Sequence, residues 1–241
     1  FLGDTIEKIA KEKLAVIEKN SIVISCNQNS QVENLITKKV KEVGADIIWK
    51  DSISKSYELG LKGIFQKQNA SVAVGAIEAL NNLGFNIKEK QISEGLKKTA
   101  WKGRLEIINF LNKEVLVDCA HNYPAAKALS RERSNWENED KGIYWILGVQ
   151  RQKDIYGILK TLLKKNDHLL LVPVPNQPSW QLNDLSQVKE IDFQKTIEFE
   201  SFELAIKYLF SLEKWPPNHP VLTGSIFLVA EFIKFAKKYK Y

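Results

Sequence analysis

Asp118-Cys119-Ala120-His121-Asn122 places a carboxylate, an imidazole and an amide within five residues. The run follows Val115-Leu116-Val117, which reads as a strand buried on both faces. In open parallel sheets ligands bind beyond the carboxyl ends of the strands. At such a rim Asp118 could accept hydrogen bonds from ribose hydroxyls, and His121 could bind a carboxylate or orient a substrate. The alternative is that Asp118 and Asn122 cap the helix that opens near Tyr123. Two further turns should share this rim: Gly148-Val149-Gln150 after Tyr144-Trp145-Ile146-Leu147, and Thr223-Gly224-Ser225 after another apolar pair. The latter offers backbone N–H groups, the Ser225 hydroxyl and a helix N-terminus to an anion, or else serves as an ordinary cap.

Other chemistry lies outside that rim. Arg104 follows Gly103, so backbone and guanidinium can approach a phosphate together, although a surface salt bridge would use the same residues. Lys13 lies seven residues after Ile6 and four before Ile17, on the expected apolar face of the first helix. It either snorkels to the surface or is a desolvated amine with a depressed pKa. A neutral amine of that kind can form a carbamate with carbon dioxide and so bind a metal. Gln66 and Asn69 open an Ala-rich helix and could hydrogen-bond an adenine or a phosphate, or cap the helix. His168 and His219 begin strands without partners near them in sequence and read as structural.

The elements that must position these groups alternate. An N-cap at Asp4 or Thr5 precedes a helical pattern through Ile6, Ile9, Ala10, Leu14 and Ile17. Strands are expected at 22–26 and 46–49, and helices at 30–43, 68–83 and 89–98, with a loop at 50–66. A domain boundary is expected near 100–103, giving domains 1–101 and 102–241. The second domain should carry strands at 104–109, 114–118, 143–148, 167–173 and 219–223. Its helices are expected at 123–135, 153–165, 181–189, 201–213 and 224–239. That order predicts an α/β fold with a mostly parallel, doubly wound sheet.

Composition narrows the function. Of the 35 basic residues only Arg104, Arg131, Arg133 and Arg151 are arginines, and the lysines are spread along the whole chain. The net charge of +6 therefore reads as a solvated surface and not as a nucleic-acid face. No apolar run approaches the ~20 residues of a membrane-spanning helix. Cys26 and Cys119 read as reduced thiols of a cytoplasmic protein. The chain has no Met and opens on Phe1, which is expected of an internal start.

Six segments, in order, resemble the folylpolyglutamate synthase/dihydrofolate synthase family of Mur ligases. They are Leu2-Gly3-Asp4-Thr5 running on to Glu12-Lys13, Gly63-Ile64-Phe65-Gln66 with Asn69-Ala70, and Trp101-Lys102-Gly103-Arg104-Leu105-Glu106. Then follow Asp118-Cys119-Ala120-His121-Asn122, Lys153-Asp154 and Thr223-Gly224-Ser225. The resemblance implies the C-terminal part of a central ATP-binding domain followed by a C-terminal Rossmann-like domain. It also implies an ATP- and Mg2+-dependent ligase, acting as a monomer. ATP would phosphorylate the carboxylate of dihydropteroate or of a folate, and the amine of L-glutamate would attack the acyl phosphate. Asn69, Arg104 and Asp118 would contact ATP, Lys13 would be carbamylated beside a metal, and His121 and Ser225 would lie on the glutamate side of the cleft.

The sequence also departs from that family. No G-x-x-x-x-G-K-[ST] loop occurs in the 241 residues, and the expected consequence is that they do not turn over alone. Lys102, Cys119 and Ala15 stand where the family pattern has Pro, Gly and Gly. Two other readings stay open: a different Mur-type amino-acid ligase, or a non-catalytic nucleotide-binding module.

Overall fold

The computed structural model describes residues 5–51, 57–136, 141–185 and 195–239. The chain divides into two compact units, Phe1–Ala100 and Trp101–Tyr241.

In the first unit Thr5 caps α1 (Ile6–Leu14), its side chain accepting from the Lys8 N–H. Asp4 lies outside the described residues. The helix stops at Leu14, so Ile17 reaches the core through a turn and not through helical register. There it packs with Ile36 and Val40 of α2 (Ser30–Val43). Asn29 caps that helix, and Gly44 ends it at φ +69°. β1 (Ile22–Ser25) and β2 (Asp46–Trp49) pair in parallel, and Val23, Ile47 and Trp49 pack against the same core. The expected helix at 68–83 starts a turn earlier, as α3 (Phe65–Asn82), and α4 (Glu89–Lys98) follows.

The second unit holds a six-stranded sheet. β3 (Glu106–Phe110) and β4 (Lys113–Val117) form an antiparallel hairpin. Its two turn residues, Leu111 and Asn112, take φ of +50° and +61°, the backbone that a tight two-residue hairpin requires. β5 (Tyr144–Leu147), β6 (His168–Leu171), β7 (Thr196–Glu198) and β8 (Val221–Thr223) complete the order β3-β4-β8-β5-β6-β7, parallel from β4 onward. The mostly parallel α/β expectation holds, with β3 as an antiparallel edge. β7 was not expected: it is a polar edge strand with one neighbour, and so has no apolar run to reveal it.

α8 (Phe202–Ser211) and α9 (Ile226–Lys238) cover one face of this sheet. Phe202, Ile206, Leu228 and Phe232 pack there against Val115, Val117, Ile146, Leu170 and Leu222. α5 (Tyr123–Glu132) and α6 (Ile155–Leu162) pack on one another, and side chains of opposite parity along the strands, such as Trp145 and Leu169, are equally buried. The expected helix at 123–135 ends instead in a 3-10 turn, Arg133–Asn135. Of the one expected at 181–189, α7 (Leu182–Leu185) is seen, and 186–189 lie outside the described residues. No helix among the described residues is long and apolar enough to cross a membrane.

Candidate functional site

Three loops meet at the carboxyl ends of β4, β8 and β5. The Gly224 N–H donates to Ala120 O at 2.9 Å and the Gly148 N–H to Thr223 O at 3.2 Å. Gly224 stands at φ +100°, and a Cβ there would lie 2.5 Å from Gly148 O, so only glycine lets the loops approach this closely. The turn before β3 joins them, since the Cys119 N–H donates to Gly103 O at 2.9 Å.

Asp118 sits at the centre of this seam, 5% exposed. Its Oδ2 accepts from the Leu105 N–H at 3.1 Å and its Oδ1 from the Ala120 N–H at 2.8 Å. It does not cap α5. That role falls to Asn122, whose side chain accepts from the Ala125 N–H. Burial pushes the Asp118 carboxyl above the usual carboxylate range, while the two N–H donors and the Arg104 charge pull the other way.

Arg104 rides on a turn flanked by Gly103 at φ +72° and Leu105 at φ +45°. Its side chain is half-buried, and among the described residues its guanidinium has no hydrogen-bonded partner. Glu106 stabilises the same turn by accepting from the Gly103 N–H at 2.8 Å.

His121, also half-buried, holds Cys119 O at 2.9 Å from Nδ1. A carbonyl can only accept, so Nδ1 carries the proton and Nε2 of the neutral ring is left as an acceptor. Ser225 is 2% exposed and caps α9, accepting from the Phe227 N–H at 3.2 Å. Of the two readings of Ser225 the structure shows the cap, at the carboxyl end of β8.

Asn69 lies in the first unit. It is exposed on the second turn of α3 and donates to Gln66 Oε1 at 2.9 Å. The pair edges a cleft of about 200 Å3 with Leu59, Leu61, Ala70 and Leu96 on its apolar walls. That is smaller than the ~300–1,000 Å3 of sites that take a whole drug-sized ligand, and suits a planar base with an amide pair at its margin.

The helix face expected to hold Lys13, drawn through Ile6, Lys13 and Ile17, is not the one that is buried, and Lys13 is exposed. Ile17 is outside the helix, Ile6 is 47% exposed, and the helix buries Ala10 instead. The described residues therefore supply no desolvation for its amine. Nor do they contain a group of three or more His, Cys, Asp or Glu side chains that could hold a metal ion.

What the sequence missed here is the bracing. Leu105, Glu106 and Ala120 were not singled out, yet their backbone or carboxylate groups hold the rim together. Gly103 was the available signal, because a glycine beside a site residue often marks a left-handed turn.

The sequence profile of the dihydrofolate synthetase C-terminal domain matches residues 104–235, more than half of the chain. The chain belongs to this family. A probable dihydrofolate synthetase of Schizosaccharomyces pombe is 28% identical over 262 residues, covering 98% of this chain and 63% of the relative. A dihydrofolate synthase/folylpolyglutamate synthase of Buchnera aphidicola is also 28% identical, over 97% of this chain and 58% of the relative. This chain thus spans roughly three fifths of the curated relatives it matches. Among solved structures, Mycobacterium tuberculosis folylpolyglutamate synthase complexed with ADP superposes with a TM-score of 0.81 at 19% identity, covering 98% of this chain and 60% of that one. The Thermotoga maritima folylpolyglutamate synthase gives 0.73 at 24% identity, with 99% and 60% covered. These structural likenesses establish the shared fold.

Proposed function

We propose that the protein carrying this chain is an ATP-dependent ligase that adds L-glutamate to dihydropteroate, to a folate, or to both, through an acyl phosphate. In this reading residues 1–101 are the C-terminal part of its central ATP-binding domain, and 102–241 are its C-terminal Rossmann-like domain. The observation that carries the proposal is the rim of the second unit. A half-buried guanidinium, an imidazole anchored to a backbone carbonyl and a capped helix N-terminus stand there on hydrogen-bonded loops. The fold is that of the dihydrofolate synthetase family.

Each residue then has a task. Arg104 takes phosphate oxygens of ATP in its planar fork. Asp118 belongs to the same nucleotide set, and Asn69 with Gln66 takes the adenine at the cleft margin. His121 and Ser225 hold glutamate, its carboxylates drawn to the N-terminal end of α9. The γ-phosphoryl passes to the acceptor carboxylate, ADP leaves, and the glutamate amine displaces phosphate to form the amide. Positioning supplies much of the rate. Lys13 is the carried-over candidate for a carbamylated lysine, and its exposure here gives that role no support. Mg2+ is the expected cofactor and would supply charge stabilisation to the transferring phosphoryl group; the described residues contribute no group of three or more His, Cys, Asp or Glu side chains to hold it. The protein is expected to be a cytoplasmic monomer.

The test is glutamate incorporation with ADP release by the full-length protein, with dihydropteroate and tetrahydrofolate as alternative acceptors. Incorporation into either, lost in Arg104→Gln and His121→Ala, is the expected result. No incorporation into either acceptor, or full turnover by both variants, overturns the proposal. The 241-residue chain alone, which lacks a P-loop motif, is expected to bind nucleotide without ligating.

A further inference from the structure

We propose that the cavity at the carboxyl ends of β6 and β7 is a second ligand site, which takes an aliphatic diamine in its diammonium form. The cavity encloses about 700 Å3, within the ~300–1,000 Å3 of small-molecule sites. It lies in the second unit, and none of the residues assigned to ATP or glutamate lines it.

The ligand class follows from the walls. Pro178, Trp180 and Phe199 supply apolar surface, and Gln177, Glu198 and Glu200 supply polar groups. The chain carries a net charge of +6, yet no Lys, Arg or His lines this cavity. A phosphate or a carboxylate would find no counter-charge there, whereas two carboxylates complement a cation. The Phe199 N–H donates to Leu171 O at 2.9 Å, which keeps the backbone extended beyond the end of β7. Glu198 and Glu200 therefore share a face, ~6–7 Å apart along the chain, a span that the two ammonium groups of one short diamine can bridge. Its methylene stem would lie along the ring and proline surfaces, as the stems of long amines do on apolar walls. A bare metal ion suits the cavity less. It has no use for apolar walls, and the described residues hold no group of three or more His, Cys, Asp or Glu side chains.

The walls are braced before any ligand arrives. Trp180 donates its backbone N–H to Val149 O and its indole N–H to Lys153 O, both at 3.0 Å. The Arg151 N–H donates to Pro178 O at 2.9 Å, and Gln150 donates to Gln177 Oε1 at 3.1 Å. The Leu182 N–H donates to Glu198 at 3.1 Å and holds that carboxylate in place. Binding would therefore cost little ordering of the protein.

Calorimetric titration of the 241-residue chain with diaminobutane tests this, with butylamine as the single-charge control and no nucleotide or folate present. One saturable site is expected, with butylamine weaker by about tenfold or more. Glu198→Gln and Glu200→Gln should each weaken diaminobutane by about fivefold or more. Glutamine at 198 still offers an acceptor to the Leu182 N–H, so the wall is kept. Mg2+ at the same concentration should not displace the diamine. No saturable binding, equal affinity for butylamine, unchanged affinity in both variants, or displacement by Mg2+ each overturn the proposal. With ATP and folate absent, none of these outcomes bears on the ligase reading, and failure of that reading would leave them unchanged.

Discussion

Cys119 lies against the turn that carries Arg104: a Cβ placed on Gly103 would sit 2.9 Å from its Sγ. Burial, with Asp118 next to it, pushes the thiol up to about 11 from an ordinary value near 9. The thiolate is the reactive form, so at pH 8 only about one Cys119 in a thousand is poised to react. We expect a disulfide reagent at pH 8 to modify one thiol per native chain, at Cys26, and two after unfolding in urea. Equal native rates for both would show the packing around Cys119 to be open. The proton is bound more tightly in the folded chain, so this group's contribution to stability is complete below pH 9 and is lost as pH rises from 9 through about 11. At Arg104 the expected effect is on binding. Arg104→Gln should weaken ADP affinity at least tenfold, as befits ~1.5–3 kcal/mol for a charge-assisted bond, and Arg104→Lys should recover part of it without the fork. Calorimetric titration of the three proteins checks both. The placing of Lys13 on a buried apolar face failed for a reason belonging to this scale. One apolar residue assigned to the wrong side of a helix end, Ile17, rotated the inferred face.

Elements were legible wherever a cap or an apolar run marked them. Ser30–Val43 lies between Asn29 and Gly44, and its ends match the expected ones. Strands β4, β5 and β6 are apolar because helices cover both faces of the sheet. What escaped was held together by long-range pairing that no local pattern encodes, as at β7. The buried pair Arg133–Asp167 is another case. Asp167 accepts from both terminal nitrogens of Arg133, from the Trp145 indole and from the N–H groups of Ile143 and Lys164. It thereby joins the 3-10 turn after α5 to the starts of β5 and β6. Arg133→Leu leaves this carboxylate uncompensated and should cost ~3–5 kcal/mol in urea unfolding. Gly224→Ala should cost ~1–3 kcal/mol, since φ +100° is strained for alanine even before the added Cβ meets Gly148 O. A loss below half a kcal/mol in either variant would mean that the local structure relaxes around it.

At the scale of the molecule the two units are unequal. Phe1–Ala100 has a two-stranded sheet, and the cluster beneath it centres on three buried residues, Ile17, Ile36 and Val40. Trp101–Tyr241 has six strands and a continuous core on α8 and α9. The two strands of the smaller unit depend on helices that bury few large apolar side chains, whereas the six-stranded sheet lies on an extensive buried core. Residues 101–241 made alone should therefore melt cooperatively with near-ultraviolet circular dichroism intact, and residues 1–100 made alone should show no such transition. The reverse result would place the stability in the smaller unit. The seam at the rim of the larger unit sets how this chain can diversify. Gly103 to Cys119, Ala120 to Gly224 and Thr223 to Gly148 make one stitched frame, and an insertion at any stitch shifts its neighbours as well. A change of ligand preference is accordingly to be sought in the side chains mounted on the frame, Arg104, His121 and the half-exposed Tyr123 and Phe227, and not in new loop lengths.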